Sequence, residues 1–235
     1  MTDPAEPPRR FYKTASLGEG ADPVILLDGR KVRTPAGAVL AAPTRALAEI
    51  LAGEWNAQGE AILAASMPAT RLAFTALDRV AQARAEVAQE VARYAGADLL
   101  CYFADRPQAL RDLQARAWGP WLDWARDELG LRFVTTSGVV HAAQLPGTLE
   151  RVAVLAGGLD DFALTGLAHA TALFGSAVLA FALQRGAVTG EAAFALSQLD
   201  EDFQAEQWGV DAEAAARRVA LQAEAEVLGA WFRAL

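Results

Sequence analysis

Carboxylates dominate the chemistry-bearing side chains of this 235-residue sequence, and their densest set is Asp200-Glu201-Asp202, followed by Glu206. Two carboxylates at a suitable separation can share acid and base work. Helical neighbours point about 100° apart, however, so the triplet does not form a paired acid site by spacing. Asp160-Asp161 precedes an uncharged run, where helix capping is the expected duty. There are two histidines, His141 and His169, and one cysteine, Cys101, too thin an inventory for a common zinc site. His169 lies in an apolar run and reads as a satisfied core histidine before a general base. His141 receives no role from sequence. Cys101 sits among Leu99, Leu100, Tyr102 and Phe103 and reads as a buried strand thiol, because nothing basic lies near it to make a nucleophile.

Nucleotide chemistry is equally thin. No Gly-Lys-Ser/Thr occurs, so no P-loop is present. Gly18-Glu19-Gly20 starts like a dinucleotide fingerprint, but Pro23 stands where its third glycine belongs. There is no Gly-x-Ser-x-Gly elbow. The expectation is a protein with no catalytic residues, no metal and no cofactor.

Charge narrows the partners. The net charge is −8, from 21 basic and 29 acidic residues. Nucleic acid and anionic membranes both call for a basic surface, so neither is expected as a partner. Residues 1–80 balance, with nine acids and nine bases, whereas residues 191–235 carry nine acids and three bases. A protein partner with a basic patch would suit the C-terminal part; a solvated, solubilising surface is the plainer reading. Residues Met1 to Arg10 are polar and lack the apolar core of a signal peptide, so a cytoplasmic chain is expected. Phe162 to Gln184 is uncharged and long enough to span a bilayer, but its Gly, Thr, Ser and Ala content points to a buried helix, or to two short helices meeting near Gly175.

The elements that would position these groups change character along the chain. Phe11–Ala15, Val24–Leu27, Lys31–Thr34 and Val39–Ala41 read as short strands, with Asp28-Gly29 and Pro35-Ala36-Gly37 as turns. Thr44 is placed to cap a helix carrying Leu47, Ile50, Leu51 and Trp55. Met67-Pro68 opens a long helical pattern that runs, with a bend, to Tyr94. Asp98–Phe103 and Arg132–Val134 are further strand candidates. Gly119-Pro120 is expected to break one helix and start the next. Thr189 and Asp211 are placed to cap the last two helices. The predicted class is α+β, with a small β-rich N-terminal domain over residues 1–80 and a larger, mainly helical domain over residues 81–235.

The segment Glu191–Trp208 reads as one helix with two faces. Ala192, Leu196, Leu199 and Phe203 form a stripe for the core. Phe194, Ser197, Glu201, Gln204 and Trp208 recur at steps of three and four on the other side. A row with an acid, an amide and two aromatics suits a binding face, and a helix sandwiched on both sides is the equal alternative. Trp118, Trp121 and Trp124 form a second aromatic cluster, read as core packing before an exposed groove.

Several ordered runs carry a resemblance. They are Arg10-Phe11-Tyr12-Lys13, Leu27-Asp28-Gly29-Arg30, Thr34-Pro35, Leu47-Ala48, Glu54-Trp55 with Gln58, and Met67-Pro68 with Leu72. Pro120-Trp121-Leu122-Asp123-Trp124, the run Leu199 to Gln204, and Trp208-Gly209 continue the order. This set, over nearly the whole chain, resembles the ATP synthase assembly chaperones, often called ATP12-like, whose mitochondrial members escort the α subunit of the F(1) head. The resemblance implies a non-enzymatic two-domain chaperone that binds the unassembled α subunit and masks its β-subunit interface. It also implies an important acid in the C-terminal signature. Glu201 matches best, with Asp200 and Asp202 as open alternatives. With the row above, this gives Glu201, Trp208, Gln204, Phe194 and Asp202 as the expected client-binding residues. The chain departs from some relatives after Trp208-Gly209, where Val210-Asp211-Ala212-Glu213 lacks their acid–histidine pair, so no role of that histidine transfers. The rivals from the residues alone are a small enzyme using His169 or the Asp200–Glu206 acids, and a scaffold module with a basic client.

Overall fold

Asp28 (φ 47°) and Gly29 (φ 82°) turn the chain back on itself, and the resulting hairpin organises the N-terminal unit. In this computed structural model, which describes residues 7–20, 23–138, 140–209 and 212–235 but not the side chain of Trp208, strands β1 (Ala15–Leu17), β2 (Ile25–Leu27) and β3 (Arg30–Lys31) form an antiparallel sheet in that order. Leu27 faces Arg30 across the turn, and Ala15 faces Leu27 on the other side. The first strand thus lies later than Phe11–Ala15. Isolated bridges Arg33–Val39 and Val24–Ala41 extend the meander without adding strands. Helix α1 (Arg45–Asn56) begins where Thr44 Oγ1 accepts the Leu47 N–H at 3.1 Å, and it buries Leu47, Ala48, Leu51, Ala52 and Trp55. Pro68 opens α2 (Pro68–Thr75), a π turn covers Ala76–Val80, and α3 (Ala81–Ala95) follows with non-helical angles at Ala83. The described chain separates into two compact units, one reaching Gln82 and including Ala234–Leu235, the other Ala83–Arg233.

The larger unit is helical. Of Asp98–Phe103 only Tyr102–Phe103 is a strand, β4, because Asp98 instead caps a 3₁₀ turn over Leu99–Cys101. β4 pairs in parallel with β5 (Thr136–Ser137). Arg132–Val134 is not a strand; the Gln144 side-chain amide holds both the N–H and the carbonyl of Val134 at 2.8 Å, taking the place of a neighbouring strand. Helix α4 (Gln108–Leu129) runs straight through Gly119-Pro120 instead of breaking there. Pro120 and Arg116, whose carbonyl loses its helical partner, are both exposed, so water can serve that carbonyl. Fully buried Trp118 anchors the helix two residues before the proline, and its truncation to Ala would cost about 3–5 kcal/mol.

Helices α5 (Pro146–Gly157), α6 (Asp161–Phe174) and α7 (Ala177–Gln184) build the core. Gly175 (φ 62°) separates α6 from α7 in the left-handed region, so the uncharged segment is two short buried helices. Asp160 caps α6 through the Ala163 N–H at 2.8 Å. Among the described residues no helix is long and apolar enough to cross a membrane. Glu191–Trp208 is two helices, α8 (Gly190–Ser197, capped by Thr189) and α9 (Leu199–Trp208), parted at Gln198. The last helix is α10 (Ala212–Ala234); the Asp211 cap expected for it lies outside the described residues. Gly190 and Gly166 let α10 approach closely. A Cβ at Gly190 would overlap the Ala225 carbonyl, and one at Gly166 would come within 2.8 Å of the Trp231 ring. Trp231 stacks on Phe162 at 5.7 Å and donates its Nε1–H to the Phe162 carbonyl at 3.1 Å.

Candidate functional site

The break before α9 has a specific cause in two hydrogen bonds. The Leu196 carbonyl, which a continuing helix would use, accepts the Trp118 Nε1–H at 3.0 Å instead. The Ser197 hydroxyl donates back to the Phe194 carbonyl at 2.8 Å, another bond that competes with the helical ladder. The 3.6-residue period therefore does not carry across Gln198, and the face assignment for the first half inverts. Phe194 is 2% exposed and Ser197 is buried, while Ala192 is exposed. Phe194 is a core residue and cannot contact a client from where it stands.

On α9 the three consecutive acids have three different surroundings. Asp200 is half-buried and accepts a hydrogen bond from Gln114 Nε2 at 2.7 Å. Burial pushes its carboxyl above the usual range, and the Gln114 bond only partly opposes this. Asp202 forms a two-point ion pair with Arg218 of α10, one contact being 2.9 Å. The same guanidinium lies 5.5 Å over the Phe194 ring. Glu201 is exposed and has no ion pair or hydrogen-bonded side-chain partner among the described residues. Gln204, one turn on, is exposed too. Trp208 closes the row in sequence, but its side chain lies outside the described residues. All three acids occupy the first turn of α9, where the helix dipole favours negative charge.

Gln114 and Arg218 escaped sequence reasoning, because each partner lies far along the chain or on another helix. Trp118 was read only as one of a cluster; it alone is fully buried, whereas Trp121 and Trp124 stay half-exposed and meet edge to face at 6.2 Å.

The catalytic alternatives lose ground. His169 is not in the core: its side chain is 41% exposed and pairs with Glu224 at 2.5 Å. His141 Nδ1 meets the Tyr102 hydroxyl at 3.0 Å. Cys101 is fully buried in a 3₁₀ turn rather than a strand, and burial, helped by the nearby Asp98 charge, drives its thiol far above the nucleophile range. No group of three or more His, Cys, Asp or Glu among the described residues could hold a metal ion.

Comparison with known proteins bears on the family of the chain. Residues 9–126 match the family described as ATP12 chaperone protein. The chain is 24% identical over 215 residues to Protein atp12, mitochondrial, of the fission yeast Schizosaccharomyces pombe, covering 86% of this chain and 74% of that one. Crystal structures of Atp12 from Paracoccus denitrificans superpose with a TM-score of 0.90 at 39% identity, over 96% of this chain and 97% of theirs. The Agrobacterium tumefaciens Atu1473 protein superposes with a TM-score of 0.91 at 41% identity, over 97% of this chain and 86% of that one.

Proposed function

Because the chain belongs to the ATP12 chaperone family, whose members serve ATP synthase assembly and are not enzymes, we propose that its client is the unassembled α subunit of the F(1) head. The chaperone covers the apolar surface that the β subunit will later occupy and so prevents aggregation. We read it as acting in the cytoplasm, because its relatives at 39% and 41% identity come from the bacteria Paracoccus denitrificans and Agrobacterium tumefaciens, while the fission yeast relative is mitochondrial. It needs no nucleotide chemistry of its own.

The observation that carries the reading is Glu201. Of the three consecutive acids that open α9, Asp200 and Asp202 are engaged by Gln114 and Arg218, while Glu201 is exposed and unpaired among the described residues. It is free to meet an arginine or lysine of the client. Gln204 adds a polar contact, and Trp208 the aromatic anchor that interface centres favour. Asp202 stays with Arg218 and steadies α9 from behind. Release follows when the β subunit competes for the masked surface.

Co-expression with the isolated α or β subunit tests this. Selective rescue of soluble α, with co-purification, is the expected result, and equal rescue of both or neither contradicts it. Glu201→Lys should weaken capture of α about tenfold or more, since reversing one charge of a desolvated pair also leaves its partner unpaired.

A further inference from the structure

The larger unit carries an open cleft of about 480 Å³ that the Glu201 row does not use. Tyr102, Phe103, Asp105 and Arg106 line it from the end of β4, Gly138 from just after β5, and Asp200 from α9. Fully buried Gln114 ties its two sides together. Gln114 Oε1 accepts the Ala104 N–H at 2.7 Å, and its Nε2 donates to Asp200 Oδ1, also at 2.7 Å. Trp118 does the same one turn on, packing edge to face on Phe103 at 5.9 Å while holding the Leu196 carbonyl. The cleft is therefore shaped in advance by α4.

Its chemistry is unbalanced. Two carboxylates, Asp105 and Asp200, face one guanidinium, Arg106, and none of the three has an ion pair among the described residues. Asp200 gives one oxygen to a neutral amide, and its Oδ2 has no hydrogen-bond partner among the described residues. Tyr102 and Phe103 are half-exposed aromatics beside these acids. A planar cation that offers several N–H donors and stacks on rings fits such a site better than a compact ammonium does.

We propose that this cleft receives an arginine side chain from the client protein, held between the Asp200 and Asp105 carboxylates and against the Tyr102 and Phe103 rings. The occupant is a protein segment because Asp200, which lines the cleft, is the residue before exposed Glu201 in the first turn of α9, so a client docked on that turn through Glu201 has the cleft within side-chain reach; to that extent the inference rests on the function proposed above. Asp200 thereby becomes a second client-binding residue, with Gln114 as the group that positions it.

The full chain, ¹⁵N-labelled, is titrated with N-acetyl-arginine amide and, separately, with the uncharged isostere N-acetyl-citrulline amide. Saturable shifts of the Ala104, Gly138 and Asp200 amides with arginine alone are expected, and they should vanish in the Asp105→Asn/Asp200→Asn variant. That variant keeps an acceptor for Gln114, and its melting transition confirms folding. Capture of the ATP synthase α subunit should fall about tenfold in it. If the wild type captures α and the folded variant captures it equally, the cleft proposal is overturned while the chaperone reading stands. If the wild type captures no α, that reading falls, and the titration alone decides the cleft: arginine-specific shifts support an arginine receptor, and none, or equal shifts with citrulline, refute it.

Discussion

Three acids of the N-terminal unit, Asp28, Glu54 and Asp78, and two of α9, Asp200 and Glu201, are used in opposite ways. In the smaller unit, Asp28 accepts the Lys13 and Thr14 N–H groups at 3.0 Å, and Glu54 accepts those of Ala69 and Thr70 at 2.7 Å. Asp78 takes the Thr34 hydroxyl at 2.5 Å and the Ala36 N–H at 3.0 Å. Each closes a turn or a helix start of its own chain. On α9, Glu201 closes nothing and Asp200 has an oxygen left over. A carboxylate committed to backbone donors specifies the fold; one left uncommitted in an ordered helix is available to a partner.

Asp98 is the hardest test of that contrast, since it lies in the same unit as α9 yet behaves like the smaller unit's acids. Completely buried, it accepts the Leu100 and Val178 N–H groups, each at 3.1 Å. Asp98→Ala orphans both and should cost about 3–4 kcal/mol in chemical denaturation. If commitment rather than location decides an acid's role, this loss should dwarf that of any α9 acid. Glu54→Ala should cost about 2 kcal/mol, while the molecules still folded capture the α subunit normally. A capture defect without a stability defect would place Glu54 with Glu201 instead.

Acidity sharpens the contrast further. Burial raises the Asp98 pKa to about 6 and also raises that of Glu54, so both bind protons more tightly folded than unfolded. For Asp98 this contribution is full below its unfolded value of about 3.9 and is lost as pH rises through 6. The wild-type melting temperature should therefore hold or rise from pH 7 to 5.5. Asp98→Asn should flatten that response; an unchanged slope would assign it to other groups. The smallest stability effect belongs to Glu201→Lys, within about 0.5 kcal/mol of the wild type although capture is weakened about tenfold or more.

Local chemistry was legible in the sequence. Thr44, Asp160 and Thr189 cap the helices that follow them, Asp28-Gly29 makes the hairpin, and Gly175 divides the apolar run, because each depends on neighbours a few residues away. The α+β class followed from the same signals. What failed was set by distant partners. Trp118 takes a carbonyl 78 residues away, which parts α8 from α9 and turns Phe194 inward. Asp98 reaches Val178, and Gln114 reaches Asp200, 80 and 86 residues along. No helical period encodes such bonds. The exposed position of Glu201 on α9 was legible from spacing; the half-buried setting of Asp200 was not.

The unequal surroundings of α10 have a further consequence. Its first part, through Ala220, is exposed except at Arg218, whereas Ala225, Leu228 and Trp231 are buried. Backbone amides there should exchange with solvent along a gradient, fast near residues 214–220 and slow near 228–231. The Asp202–Arg218 pair then works as a latch on the fast end, so that whatever occupies α9 also sets how often the front of α10 opens.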